Sequence, residues 1–157
     1  MDINLDIIRK FYDSFAKGDA EGMASCYHEK LKFQDPAFGV LNAQDAKAMW
    51  SMLLSRGRSP EITYHDEWAD DESGKVIWEA RYEFGPQKRK VHNRISAKFK
   101  FENGLIIEHT DSFDFWRWSR MALGMPGLLL GWTPIIQNKV RKRVLGLLAK
   151  YKADKKL

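Results

Sequence analysis

Residues 91–115 read Val-His-Asn-Arg-Ile-Ser-Ala-Lys-Phe-Lys-Phe-Glu-Asn-Gly-Leu-Ile-Ile-Glu-His-Thr-Asp-Ser-Phe-Asp-Phe. Two runs rich in aromatic and β-branched residues, Val91 to Phe101 and Leu105 to Phe115, flank Glu102-Asn103-Gly104. Asn-Gly between two such runs is the strongest short-range hairpin signal. Working upstream, Ile62 to Asp70 and Val76 to Phe84 have the same period of two, with joints at Asp70-Asp71-Glu72-Ser73-Gly74 and Gly85-Pro86. Residues 62–115 are therefore expected to form a four-stranded antiparallel meander. The same period sorts the last strand by face: His109, Asp111 and Phe113 on one side, Glu108, Thr110, Ser112 and Asp114 on the other.

Ahead of the meander the period is helical. Ile7, Ile8, Phe11, Tyr12 and Phe15 recur at three- and four-residue intervals, and Lys17-Gly18-Asp19 supplies a stop. Asp19 can cap a second helix through Met23 to Tyr27. Leu31 to Asp35 reads as a short strand ended by Pro36. Asn42 can then cap a helix carrying Ala46, Met49, Trp50, Leu53 and Leu54, finishing near Gly57 and Pro60. Helices followed by a strand meander indicate an α+β domain with helices on one face of a curved sheet.

A chain of 157 residues with 44% hydrophobic and 13% aromatic content is long enough for one domain with a core and a cavity. Cys26 is the only cysteine, which excludes an intrachain disulfide. Met1-Asp2-Ile3-Asn4-Leu5-Asp6 has neither the basic start nor the apolar run of a secretion signal, so the expected compartment is cytoplasmic. The net charge of +5 is unevenly distributed: residues 1–134 hold 18 Lys/Arg against 20 Asp/Glu, and residues 135–157 hold 8 against 1. Basicity belongs to the tail.

In that tail, Trp116 to Leu123 reads as a short helix broken by Gly124-Met125-Pro126-Gly127. Ile136, Val140, Val144, Leu147, Leu148 and Tyr151 then line one face of a long helix whose other face carries Lys139, Arg141, Lys142, Arg143 and Lys150. The apolar stretch before it is too short to span a bilayer. Three uses stand open for this segment: packing on its own domain or over a pocket mouth, which is the expectation; dimerisation; and peripheral membrane contact through the C-terminal helix. Nucleic-acid binding is not expected, since the basic residues do not interleave with stacking aromatics on a sheet face.

The order of helix, helix, short strand, helix and meander, with Phe33-Gln34-Asp35-Pro36-Ala37-Phe38-Gly39 closing the first strand, resembles the nuclear transport factor 2-like superfamily. Its members include ketosteroid isomerases, limonene-epoxide hydrolases and SnoaL-like polyketide cyclases. The resemblance covers residues 1–116 and implies a cone-shaped, cystatin-like α+β fold with four to six strands. Residues 117–157 would be a helical basic extension of the same domain. It further implies a pocket between helices and sheet, a homodimer through the outer sheet face, and chemistry without metal or organic cofactor.

Lys17-Gly18-Asp19 and residues 33–39 look like the matching segments of ketosteroid isomerase, which puts Asp35 where that family keeps its general base. The family's oxyanion tyrosine falls on Phe11, with Tyr12 one place off, and its oxyanion aspartate falls on Ala97. Steroid isomerisation through a dienolate is therefore not expected. The alignment turns His109, Asp111 and Phe113 into the pocket, along with Asn93 and Ile95 on the preceding strand and Trp78, Ala80 and Tyr82 on the one before. Asp35, His109 and Asp111 are then the candidate catalytic groups, and Phe11, Tyr12, Trp50, Trp78, Tyr82, Asn93 and Phe113 the candidate substrate contacts. The expected function is acid-base chemistry on a small apolar molecule by a SnoaL-like or isomerase-like enzyme, a cyclase or epoxide hydrolase included. Its alternative is a non-catalytic module of the same fold that binds a hydrophobic ligand or a protein. Plainer readings stand beside these: Asp35 as the cap of an Asp-Pro turn, His109 as a satisfied strand histidine, Asp111 as a partner of Arg94.

Overall fold

The computed structural model describes residues 3–56 and 60–157. Three helices and six strands make the body: α1 (Ile3–Ala16), α2 (Ala20–Ala24), β1 (Tyr27–Asp35), β2 (Gly39–Asn42), α3 (Ala43–Ser55), β3 (Glu61–Ala69), β4 (Ser73–Phe84), β5 (Arg89–Glu102) and β6 (Leu105–Ser112). Three further helices follow, α4 (Phe115–Leu123), α5 (Met125–Leu130) and α6 (Pro134–Lys155).

The helix boundaries follow from local chemistry. Asp19 accepts from the Gly22 amide and Asn42 from the Asp45 amide at 2.8 Å, each satisfying an orphan donor of the helix it opens. The Gly57 stop foreseen for α3 lies outside the described residues. At the β5–β6 joint Asn103 and Gly104 both have positive φ, 55° and 75°, the left-handed pair that a two-residue hairpin turn requires.

The strands form one sheet in the order β2-β1-β6-β5-β4-β3. The meander β3 to β6 is antiparallel, as expected, and β2 pairs antiparallel with β1. The pairing of β1 with β6 is parallel. Register shifts between Tyr27 and Lys32, between His65 and Trp68, and between Lys100 and Phe101 mark bulges, which bend the strands and curve the sheet. The first of these is where the sequence reading departs from the structure. β1 begins at Tyr27 instead of Leu31, because Tyr27 leaves α2 and pairs with Ile106 across the bulge.

Burial alternates along β5, with Val91, Asn93, Ile95, Ala97 and Phe99 inside and Arg94, Ser96, Lys98 and Lys100 outside. Ile8, Phe11, Tyr12 and Phe15 of α1 and Ala46, Met49, Trp50 and Met52 of α3 cover that inner face. Each large side chain so buried contributes roughly 1.5–3 kcal/mol. A second, smaller core of Val91, Trp118, Ala122, Ile136 and Val140 closes the open end of the cone. α6 crosses α3, where Ser51 Oγ meets Tyr151 Oη at 2.7 Å and Lys152 pairs with Asp45.

α4 and α5 approach backbone to backbone. A Cβ at Gly127 would overlap the Ser119 carbonyl, and one at Gly131 the Ser119 hydroxyl. Gly127→Ala is accordingly expected to destabilise the fold by roughly 1–3 kcal/mol through overpacking. Calorimetry should record a lowered Tm, and an unchanged melting curve would show that α5 is not held against α4.

Candidate functional site

The inner end of the site is a chain of four hydrogen bonds through five side chains. Trp50 Nε1 donates to Tyr27 Oη at 2.9 Å, and Tyr27 Oη meets His109 Nδ1 at 2.8 Å. His109 Nε2 meets Asp111 Oδ1 at 2.9 Å, and Trp78 Nε1 donates to the same oxygen at 3.3 Å. Burial pushes the Tyr27 phenol well above its ordinary range, so it stays protonated. With Trp50 donating to it, its proton goes to Nδ1, and the imidazole keeps its own proton on Nε2 for Asp111. Every member of the chain is satisfied in that arrangement.

His109 has no exposed surface. Ring centroids of Phe99, Phe33, Phe11, Tyr27 and Trp50 lie 4.7, 5.1, 5.5, 6.0 and 6.3 Å from its own, Trp50 nearly parallel to it. The chamber expected around this imidazole is thus taken up by aromatic rings. Asp111 is 4% exposed, and it pairs with His109 and Trp78, whereas Arg94 is on the outer face.

Asp35 enters from the neighbouring strand. Phe33 is opposite His109 and Gln34 opposite Thr110 in the parallel ladder, so one further step sets Asp35 beside Asp111 on the inner face. Asp35 is half-buried, and Oδ1 accepts the Phe38 amide at 2.6 Å, the turn-capping role that Asp-Pro suggests. Desolvation and then the Asp111 charge push its carboxyl up to about 7; the Phe38 and Ala37 amides and Arg141 oppose this. Of the two adjacent carboxylates, Asp111 is anchored by two donors, and Asp35 is able to exchange a proton near neutrality.

The remaining candidates divide between floor and mouth. Phe11, Trp50 and Trp78 belong to the buried ring shell, and so does Tyr12, whose hydroxyl is buried without a hydrogen-bond partner among the described residues. Burial, followed by the charge of Asp111, pushes its phenol pKa well above the usual value and keeps it protonated. Asn93 is buried on β5. Tyr82 and half-buried Phe113 stand at the mouth, where Trp118 Nε1 donates to Tyr82 Oη at 2.7 Å. Burial, with Asp35 nearby, raises the Tyr82 phenol to about 12.

Sequence reasoning missed three participants. The helical period puts Tyr27 at the end of a helix, and only the bulge in β1 carries it to His109. Gln137 Nε2 and Arg141 Nη2, both on α6, donate to the Pro36 carbonyl at 3.0 Å, and Arg141 Nε to that of Ala37 at 3.3 Å, which fastens the Asp35 turn. No signal in residues 33–39 points to a helix a hundred positions away. The other histidines lie outside the site: His28 pairs with Glu102, and His65 and His92 both reach Glu79.

The sequence profile of the SnoaL-like domain matches residues 8–109, which takes in most of the body from α1 to the dyad histidine. The chain belongs to the SnoaL-like family. Solved structures agree on the fold. An LEH-like epoxide hydrolase from M. tuberculosis superposes on this SnoaL-like domain with a TM-score of 0.65 at 17% identity, covering 81% of this chain and 95% of its own. A protein assigned as a SnoaL-like polyketide cyclase from a Jannaschia species gives 0.67 at 11%, covering 79% and 93%. TerC, co-crystallised with polyporic acid, gives 0.61 at 15%, covering 76% and 97%. No protein of curated function matches the sequence. The likeness establishes a nuclear transport factor 2-like cone and leaves the chemistry to the residues.

Two measurements bear on this geometry. Tyr27→Phe strands both the Trp50 donor and the His109 acceptor in a dry core, and equilibrium urea unfolding should show a loss of roughly 1–3 kcal/mol. Full stability would mean that the chain of hydrogen bonds is not formed. For Asp35 the folded carboxyl binds its proton more tightly than the unfolded one, so its contribution to stability is present at low pH and fades as pH rises from about 4 to about 7. Asp35→Asn keeps the oxygen that accepts from Phe38 and removes the charge. The variant should gain stability relative to wild type as pH rises through that window, and parallel stability-pH curves would exclude the raised pKa.

Proposed function

We propose that this SnoaL-like domain is an enzyme that performs acid-base chemistry on a small apolar molecule, with Asp35 as the group that takes up and returns the proton. The observation that carries the reading is the register of β1 on β6, which sets Asp35 beside an Asp111 already fixed by His109 and Trp78. A base with a pKa of about 7 is half ionised at neutral pH, where general catalysis is most effective. Asp111 would hold the developing positive charge or orient water, and His109 with Tyr27 would keep it in place.

The substrate would enter at the mouth, past Asp35, Tyr82 and Phe113, since the floor is closed by rings. The rings of Tyr82 and Phe113 at the mouth suit an apolar ligand, and the epoxide hydrolase and polyketide cyclase among the structural neighbours suggest an epoxide or a cyclic ketone. A second reading is favoured by the full burial of His109 among five rings: a binding module of the same fold whose polar chain is structural.

Turnover of a panel of apolar epoxides and cyclic ketones separates the two. With a substrate in hand, Asp35→Asn should lower kcat by about 10²–10⁴-fold with a smaller effect on ligand affinity. The wild-type rate should rise with pH through an inflection near 7 if Asp35 acts as the base. Activity that survives in both Asp35→Asn and Asp111→Asn would leave the binding module as the reading.

A further inference from the structure

At the end of the domain formed by α4, α5 and the start of α6, three features adjoin one another. The first is apolar exposure. Met125, Leu128, Leu129, Leu130, Trp132 and Ile135 are exposed within eleven residues of chain, Trp132 by 70% and Leu129 by 60%. Single exposed apolar residues are ordinary, but a run of this kind marks a surface that meets something.

The second is that the run is firmly held. Gly127 and Gly131 press α5 against Ser119, Trp116 Nε1 donates to the Leu128 carbonyl at 3.2 Å, and Trp132 Nε1 to that of Leu129 at 3.1 Å. The backbone of the tip is tied inward while its leucines point outward.

The third is charge. Gln87, Arg89, Lys90, Arg117, Arg120 and Met121 line an open cleft of about 690 Å³. Arg120 lies 4.4 Å over the ring of Trp116, the same side chain that holds Leu128, so cleft and tip adjoin. Arg89 Nε donates to the Met121 carbonyl and Arg117 Nη1 to that of His92; these main-chain bonds orient the two guanidinium groups, and among the described residues no carboxylate forms an ion pair with either. Nε of Arg120 is buried without a partner. The acidic residues nearest in the chain are Asp114, which caps α4, and Glu83, opposite Lys90 in the ladder. Residues 115–153 contain eight Lys/Arg and no Asp or Glu.

We propose that this end of the domain docks on an anionic lipid bilayer, with Leu128, Leu129, Leu130 and Trp132 in the boundary between headgroups and acyl chains and Arg89, Lys90, Arg117 and Arg120 on the lipid phosphates. Apolar side chains with a tryptophan, flanked by cations, are complementary to that surface in both of its components. A free anion would account for the arginines and leave the leucines unexplained. A second copy packed tip to tip would bring two basic clefts together, at an electrostatic cost. Among the described residues no helix is long and apolar enough to cross a membrane, so the contact is with one face of the bilayer. The surface is separate from Asp35 and Asp111, and the two readings can fail independently.

Co-sedimentation of the full chain with vesicles of phosphatidylcholine, alone or mixed with phosphatidylglycerol, tests it. Binding to the mixed vesicles should exceed binding to the neutral ones by about tenfold or more, and should weaken as salt is raised. Leu129→Glu/Trp132→Glu should abolish sedimentation, and Arg89→Gln/Arg117→Gln should remove the preference for phosphatidylglycerol, with far-ultraviolet circular dichroism confirming that both variants fold. Wild-type protein that stays in the supernatant overturns the proposal, as does a Leu129→Glu/Trp132→Glu variant that still sediments. An Arg89→Gln/Arg117→Gln variant that keeps the lipid preference removes the cleft from it. A wild-type oligomer that fails to bind vesicles and becomes a monomer in Leu129→Glu/Trp132→Glu would assign the tip to self-association.

Discussion

The parallel ladder between β1 and β6 is the constraint from which the site follows. Leu31 and Phe33 are buried and Lys32 and Gln34 exposed, so the hydrophobic effect pins the strand to one face and one register. A slip of one residue would turn Phe33 to water and leave a hole beside His109. With that register fixed, the period of two obliges Asp35 to point inward beside Asp111. The proximity of the carboxylates is therefore a consequence of burying Phe33, and the electrostatic strain it creates is offset locally by the Phe38 amide and by Arg141.

A polar chain in an aromatic core is stable only when complete, because a buried donor or acceptor without a partner costs about 1–3 kcal/mol. Tyr27 meets this demand from both sides, accepting from Trp50 and donating to His109. The outcome is an imidazole with one tautomer and one orientation, and a carboxylate whose position is fixed by two N–H donors. Tyr12 is the exception. Its hydroxyl is fully buried within the same rings and has no hydrogen-bond partner among the described residues.

Local periodicity carried most of the architecture. The Asn103-Gly104 hairpin, the alternation along β5 and the caps at Asp19 and Asn42 are each decided by a few neighbouring residues, and all could be read before the structure. So could the inward placement of His109 and Asp111, since period two holds along β6 from Glu108 to Ser112, beyond the bulge at Ile107. Tyr27 could not, because its place depends on a bulge that adds residues to β1 without a mark in composition. Nor could β2, four residues long, or the clamp of Arg141 and Gln137 on Pro36, where contact across more than a hundred positions is set by the docking of α6 on α3. The tail helix was legible as amphipathic; what its apolar stripe covers was a tertiary question.

The extension makes the two ends of the site unequal. Its floor is sealed by ring packing, in which moving one side chain forfeits several aromatic contacts at once and opens a void whose cost grows with its volume. Its mouth is closed by the smaller core around Trp118 and Val140 and by a few hydrogen bonds, among them Trp118 to Tyr82 and Arg141 to Pro36 and Ala37. Each such bond contributes only about 0.5–1.5 kcal/mol net, because water can replace the partner. Yielding is therefore cheapest where Asp35 stands, and the residue at that place is also the one whose carboxyl exchanges its proton near neutrality. A histidine sealed at the floor sets the geometry of Asp111, whereas Asp35 stands at the softer end.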